Sequence, residues 1–257
     1  MPEVSAPFPA GAPCWADLAS SDPQRAREFY AGLLGWEAAV SEPDGYADFL
    51  HRGSAVAGLM PNSPETAYPD TWTVYLAFGD AAGSADAAAE AGGQVMLDPQ
   101  QVGSKGSMAL LGDPSGGTIG IWQPADHPGF ARIDEVGAPV WYELLTSDYP
   151  AALRFYRDVF GWETEVLSDT ADFRYTTVQS NGRPVAGVMD GAADLPDGIP
   201  SHWELYFGHT DVDAAADLAE ELGGAVLTPP EDSPYGRMVQ LADPTGAAFW
   251  LMEAEAD

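Results

Sequence analysis

Two short apolar segments each carry one acid at their centre. Residues 14–20 read CWADLAS and residues 140–146 read VWYELLT, so Asp17 and Glu143 each stand two positions after a tryptophan. A carboxylate withdrawn from water without a partner costs several kcal/mol, or its pKa rises until it is neutral. An acid placed there twice needs a reason. One reason is a buried ion pair, for which Arg174 and Arg237 are the candidates. The other is function, because a carboxyl group with a raised pKa is suited to give or take a proton near neutral pH.

The elements that hold these acids occur twice. Residues 13–36, PCWADLASSDPQRAREFYAGLLGW, are answered by residues 139–162, PVWYELLTSDYPAALRFYRDVFGW. Further on, VAGLM (56–60) is answered by VAGVM (185–189), and Trp72 and Tyr75 by Trp203 and Tyr206. Gly92-Gly93 pairs with Gly223-Gly224, and GDPSG (112–116) with ADPTG (242–246). Self-similarity at this spacing means two modules in one chain. The boundaries read as a leader over 1–12, module one over 13–124, a linker over 125–138, module two over 139–253 and an acidic tail over 254–257.

Each module opens with a strand apolar on both faces, hence covered on both sides. A helix follows, capped by Asp22 or Asp148, with Pro23 or Pro150 in its first turn and Gly35 or Gly161 at its end. Strands are expected at 46–51, 55–60 and 72–78, and again at 173–179, 184–189 and 203–208. An Ala-rich helix (81–91, 212–222) stops at Gly-Gly, and the last two strands flank a DP-x-G turn. The spacing predicts β-α-β-β-β-α-β-β per module.

There are 40 acidic residues against 10 basic ones, a formal net charge of −30 spread over both halves. Such a surface repels phosphate, which speaks against nucleic acid and anionic membranes as partners. It attracts cationic ligands or simply keeps the chain soluble; Lys105 is its one lysine. Cys14, the single cysteine, excludes an internal disulfide framework and reads as a small core residue beside Trp15. The N-terminal MPEVSAPFPAGAP lacks the features of a secretory signal, and no apolar run reaches membrane-spanning length. The expectation is a soluble cytoplasmic protein, monomer or homodimer.

The strand–Asp–helix–FY–GW opening, the Gly-Gly helix end and the DP-x-G turn, in this order and duplicated, resemble the vicinal oxygen chelate superfamily of glyoxalases, bleomycin-resistance proteins and extradiol dioxygenases. The likeness covers nearly the whole chain and looks like its tandem glyoxalase-like subgroup. It implies an α+β fold of two tandem modules, each built of paired βαβββ units whose sheets curl into open clefts. In the metal-using relatives one ligand sits on the first strand, one opens the strand before the second helix, and one lies on the final strand. Those places hold Trp15, Thr73 and Gly120 in module one and Trp141, Glu204 and Trp250 in module two. Metal sites need three or four His or carboxylate donors, so no metal or other cofactor is expected. His51, His127, His202 and His209 occupy no repeat-related positions and read as surface or structural residues.

Side chains two apart on a strand share a face. If the ligand positions face the clefts, so do Asp17, Tyr75 and Trp122 in module one and Glu143, Tyr206 and Met252 in module two, with His202 nearby. Aromatic-lined clefts holding a few carboxylates suit a small, planar or cationic molecule. Three functions follow. The first is a protein that binds a small hydrophobic or aromatic metabolite, using Trp15, Asp17, Tyr75, Trp122, Trp141, His202, Tyr206, Trp250 and Met252. The second is a metal-independent isomerase, cyclase or lyase with Glu143 or Glu204 as acid/base. The third is a metal-dependent glyoxalase or dioxygenase with an unusual ligand set. Module two is the better-equipped half.

Overall fold

A computed structural model describes residues 7–41, 44–63, 68–193, 195–196 and 198–255. Module one runs β1 (Pro13–Ser20), α1 (Pro23–Leu34), β2 (Glu37–Val40), β3 (Ala47–His51), β4 (Ser54–Pro61), β5 (Thr71–Ala77), α2 (Ala81–Glu90), β6 (Gln94–Val102), β7 (Gly106–Gly112) and β8 (Thr118–Pro124). Module two repeats it as β9 (Pro139–Thr146), α3 (Tyr149–Phe160), β10 (Glu163–Asp169), β11 (Arg174–Ser180), β12 (Arg183–Asp190), β13 (His202–His209), α4 (Val212–Glu221), β14 (Ala225–Ser233), β15 (Gly236–Ala242) and β16 (Ala248–Glu253). Each module is one eight-stranded sheet, ordered β2-β3-β4-β1-β5-β8-β7-β6 and β10-β11-β12-β9-β13-β16-β15-β14. At each centre two βαβββ units meet antiparallel, β1 on β5 and β9 on β13. Parallel pairs flank that seam, β1 with β4 and β5 with β8.

The sequence pattern lacks two strands per module that the structure contains. All four (β2, β6, β10 and β14) lie at sheet edges. Their side chains are mostly exposed, so they show no clear apolar alternation. Pro99 in β6 and Pro229 and Pro230 in β14 argue against strands by composition. Edges tolerate them because a missing N–H there breaks no central ladder.

The helices follow their expected signals. Asp22 and Asp148 accept from the N–H groups of Arg25 and Ala151, and Gly35 and Gly161 close the helices with φ of 68°. Asp80 and Asp211 cap α2 and α4 in the same way.

The repeated motifs also dock one module on the other. On α1, the Tyr30 hydroxyl accepts from Trp72 Nε1 at 3.0 Å and donates to Asp243 of the opposite ADPTG turn at 3.4 Å. Its counterpart Tyr156 accepts from Trp203 Nε1 at 2.9 Å and donates to Asp113 of GDPSG at 3.2 Å. The GW indoles bond the segments that lead into the other module, Trp36 the Gly137 carbonyl of the linker and Trp162 the Gly11 carbonyl of the leader. The second glycine of each Gly-Gly pair admits a phenylalanine of the other module. A Cβ at Gly93 would stand 2.6 Å from Phe155, and one at Gly224 would stand 2.8 Å from Phe29. The helix faces of both sheets therefore share one core. This leaves Trp15, Trp122, Trp141 and Trp250 for the opposite sheet faces.

Candidate functional site

On β1, Ala16 and Leu18 face the shared core, and alternation turns Trp15 and Asp17 to the other side. Asp17 Oδ1 accepts from Trp15 Nε1 and from the Tyr46 hydroxyl, both at 2.8 Å. The Tyr75 hydroxyl also bonds Asp17. Burial pushes the Asp17 pKa up, and these three donors hold it back. Gly58, paired with Asp17 across β4, has no side chain because a Cβ would overlap both Asp17 and Tyr46. That explains the glycine of VAGLM.

The first cleft is sealed by the linker. His127 N and Ala125 N donate to the Lys105 carbonyl, and Trp122 Nε1 donates to the His127 carbonyl at 2.9 Å. The His127 ring meets Trp15 edge-on at 4.3 Å between centroids, and Lys105 Nζ lies 4.6 Å above the Tyr46 ring. Trp15 is left 2 % exposed.

The second cleft repeats the cage and adds to it. Tyr175 donates to Glu143 Oε2 at 2.6 Å and accepts from Trp141 Nε1 at 3.0 Å. Tyr206 OH lies 3.5 Å from Glu143 Oε1 and 3.4 Å from Glu204 Oε2, bridging the two carboxylates. Gln240 Nε2 donates to Glu204 at 3.2 Å, and His202 Nε2 lies 3.7 Å from it. Trp250 stacks on Tyr206 with ring centroids 5.5 Å apart and planes 9° from parallel. Burial, with help from the Glu204 charge, raises the Glu143 pKa to about 7 against the opposing hydrogen bonds. Burial and neighbouring carboxylates push Tyr175 and Tyr206 up, so both stay O–H donors. The His202 pKa is raised, first by its bond to Glu204.

The structure therefore brings Glu143, Glu204, Trp141, His202, Tyr206 and Trp250 together, and Met252 lies beside Trp250 on β16. It brings Trp15, Asp17, Tyr75 and Trp122 together in a closed space. The arginine partners do not materialise. Arg174 pairs with Asp169 and Asp190, and Arg237 with Asp213 and Asp232, all on the outer surface. Tyrosine and tryptophan hydrogen bonds take that role, since a buried acid needs donors more than it needs a charge. Tyr46 and Tyr175 escape the pattern reading, although Tyr46 precedes Gly58 by the same interval as Tyr175 precedes Gly187. Cys14 is buried, and burial pushes its thiol pKa far up, as befits a core residue.

At the three ligand positions of the resemblance, module one presents an indole donor, a threonine and a glycine. The ring of Tyr75 lies over Gly120, where any Cβ would overlap it. Module two presents two indoles and Glu204. Among the described residues, no group of three or more His, Cys, Asp or Glu side chains is placed to hold a metal ion. This donor set does not fit a three- or four-ligand centre. Two surface hollows of about 320 and 350 Å³ lie elsewhere, along the leader. The larger touches Trp141, but neither includes Asp17, Glu143 or Glu204. No helix among the described residues is long and apolar enough to cross a membrane.

The model of the Glyoxalase/Bleomycin resistance protein/Dioxygenase superfamily matches residues 14–121 and 136–251. The chain is 34% identical to a "Putative glyoxylase CFP32" of Mycobacterium tuberculosis, covering 98% of both proteins. It is 35% identical to the "Anthracycline biosynthesis protein DauV" of Streptomyces sp. (strain C5), covering 96% of this chain and 94% of that one. Among solved structures, the Mn(II)-bound glyoxalase from Novosphingobium aromaticivorans superposes with a TM-score of 0.65 at 18% identity, over 96% of this chain and 84% of the other. An extradiol ring-cleaving dioxygenase from B.fuscum gives a TM-score of 0.66 at 14% identity, over 100% and 75%. At such identities these two structures share the fold.

Proposed function

Because this chain belongs to the Glyoxalase/Bleomycin resistance protein/Dioxygenase superfamily, we propose that it binds a small aromatic metabolite in its second cleft, without a metal ion. The observation that carries this is the contrast between clefts. The same Trp–carboxylate–Tyr–Tyr cage is plugged by the linker in module one, where Trp15 is buried, whereas in module two its counterpart Trp141 stays partly exposed. The names of relatives that work in anthracycline biosynthesis, the making of fused-ring aromatics, support an aromatic ligand. The ligand-position residues favour metal independence, since one carboxylate is too few to bind an ion tightly.

The Tyr206 bridge favours a second reading on the same site, acid–base catalysis. A carboxyl group with a pKa of about 7 is present in both protonation states near neutral pH, so it can take a proton from a bound substrate or return one. Tyr175 and Tyr206 fix its two oxygens, and Gln240 and His202 hold Glu204 on the far side of the bridge. Proton abstraction next to a carbonyl, as in an isomerase or cyclase, suits this arrangement.

Titrating tryptophan fluorescence with a dihydroxyanthraquinone tests the site. Saturable quenching is expected for the native chain and for Trp15→Ala, and none for Trp141→Ala. A response lost in Trp15→Ala but kept in Trp141→Ala would move the site to the first cleft.

A further inference from the structure

The protein has 8 tryptophans. Seven of their indole N–H groups have an acceptor: Asp17 for Trp15, Tyr30 for Trp72, Tyr175 for Trp141, Tyr156 for Trp203, and the carbonyls of Gly137, His127 and Gly11 for Trp36, Trp122 and Trp162. Trp250 is the exception. The residue is 9 % exposed, and its Nε1 is buried with no partner among the described residues. Six other buried side-chain atoms among the described residues also lack a partner, but the Trp250 indole lies against Tyr206 of the Glu143 cage, and a buried donor left unpaired there is costly enough to call for an acceptor from outside. Trp250 stands where module one has Gly120, so this donor is present only in the second cleft, the one in which Trp141 keeps partial exposure.

The first cleft shows what fills such a cage. There the chain supplies a flat ring of its own, the His127 imidazole set edge-on against Trp15. Strand register makes Trp141 the counterpart of Trp15, because Asp17 pairs with Gly58 as Glu143 pairs with Gly187. No ring among the described residues packs against Trp141, which keeps partial exposure.

We infer that the ligand of the second cleft is a flat aromatic ring bearing a carbonyl-type acceptor, with the ring against Trp141 as His127 lies against Trp15, and the acceptor bonded to Trp250 Nε1. The inference rests on the second cleft being the ligand site, and it makes Trp250 the residue that selects for the acceptor. Two probes that differ only in the acceptor separate the claims: acetylnaphthalene, which has a carbonyl, and ethylnaphthalene, which has none. Calorimetric titration of the full chain should give about tenfold tighter binding for acetylnaphthalene, the worth of one hydrogen bond. In Trp250→Phe the two probes should bind alike, and Trp141→Ala should weaken both.

Equal affinity of the two probes for the native chain, with both still dependent on Trp141, would overturn the acceptor claim and leave the site in place. Failure of both probes to bind would overturn the site itself and this inference with it. Should Trp250→Phe lose its circular-dichroism signature of folding, the comparison of the two probes on the native chain decides alone.

Discussion

Glu143→Gln should flatten the pH dependence of stability while leaving ligand binding intact. The folded-state pKa of Glu143 lies near 7 against an ordinary value of 4.5, so between those limits the folded chain holds more proton than the unfolded one. Stability therefore falls as pH rises from 4.5 to 7, by about 3 kcal/mol in all at 1.36 kcal/mol per unit. The contribution is complete below 4.5 and lost above 7. Glutamine keeps the shape and cannot ionise. Melting curves of the two proteins should run together in acid and separate toward alkaline pH, with the variant higher by several degrees. Asp17 and the other groups with raised pKa slope the same way in both proteins, so the difference isolates Glu143. Any turnover should vanish in the variant while probe affinity persists. Parallel curves across the range would refute the assignment.

Trp36→Ala should be among the most destabilising single changes outside the site. Its indole packs on Tyr30, Phe49 and Trp72 of its own module and on Phe207 of the other, with centroids 5.0 to 6.4 Å away, and its Nε1 bonds the Gly137 carbonyl. Removing it leaves a large cavity and an orphaned carbonyl, a loss of roughly 3–5 kcal/mol. Because Phe207 belongs to module two, urea unfolding should remain a single transition at a lower midpoint, with both modules lost together. Two separate transitions, or a loss below about 1 kcal/mol, would contradict the shared core.

Those interface contacts explain how much was legible beforehand. The residues that made the repeat visible, Phe-Tyr, Gly-Trp, Gly-Gly and Asp-Pro-x-Gly, are those that lock one module to the other. Their geometry is demanding and therefore duplicated faithfully. The central strands were equally plain, being apolar and capped by clear signals. Edge strands were not, because half-exposed residues and prolines carry little periodicity. In the site, Asp17 and Glu143 were legible as lone acids in apolar segments and Glu204 as a position the family resemblance marks, and alternation along strands then added Tyr75, Trp122, Tyr206 and Met252. Tyr46 and Tyr175 were not legible, since their place depends on which strand lies beside β1 and β9, a matter of topology. Nor could strand periodicity show that His127, carried by an irregular linker, would plug the first cleft.

The positions that carry metal ligands in the metal-using relatives hold Trp15, Thr73 and Gly120 in one cleft and Trp141, Glu204 and Trp250 in the other, and each cleft adds a carboxylate, Asp17 or Glu143, caged by tyrosine and tryptophan. The most direct test is a single preparation purified without chelator, with metal content and acetylnaphthalene affinity measured before and after EDTA dialysis. No stoichiometric transition metal and an unchanged affinity are expected. A full equivalent of manganese, iron, nickel or zinc, lost to EDTA together with probe binding, would contradict the account.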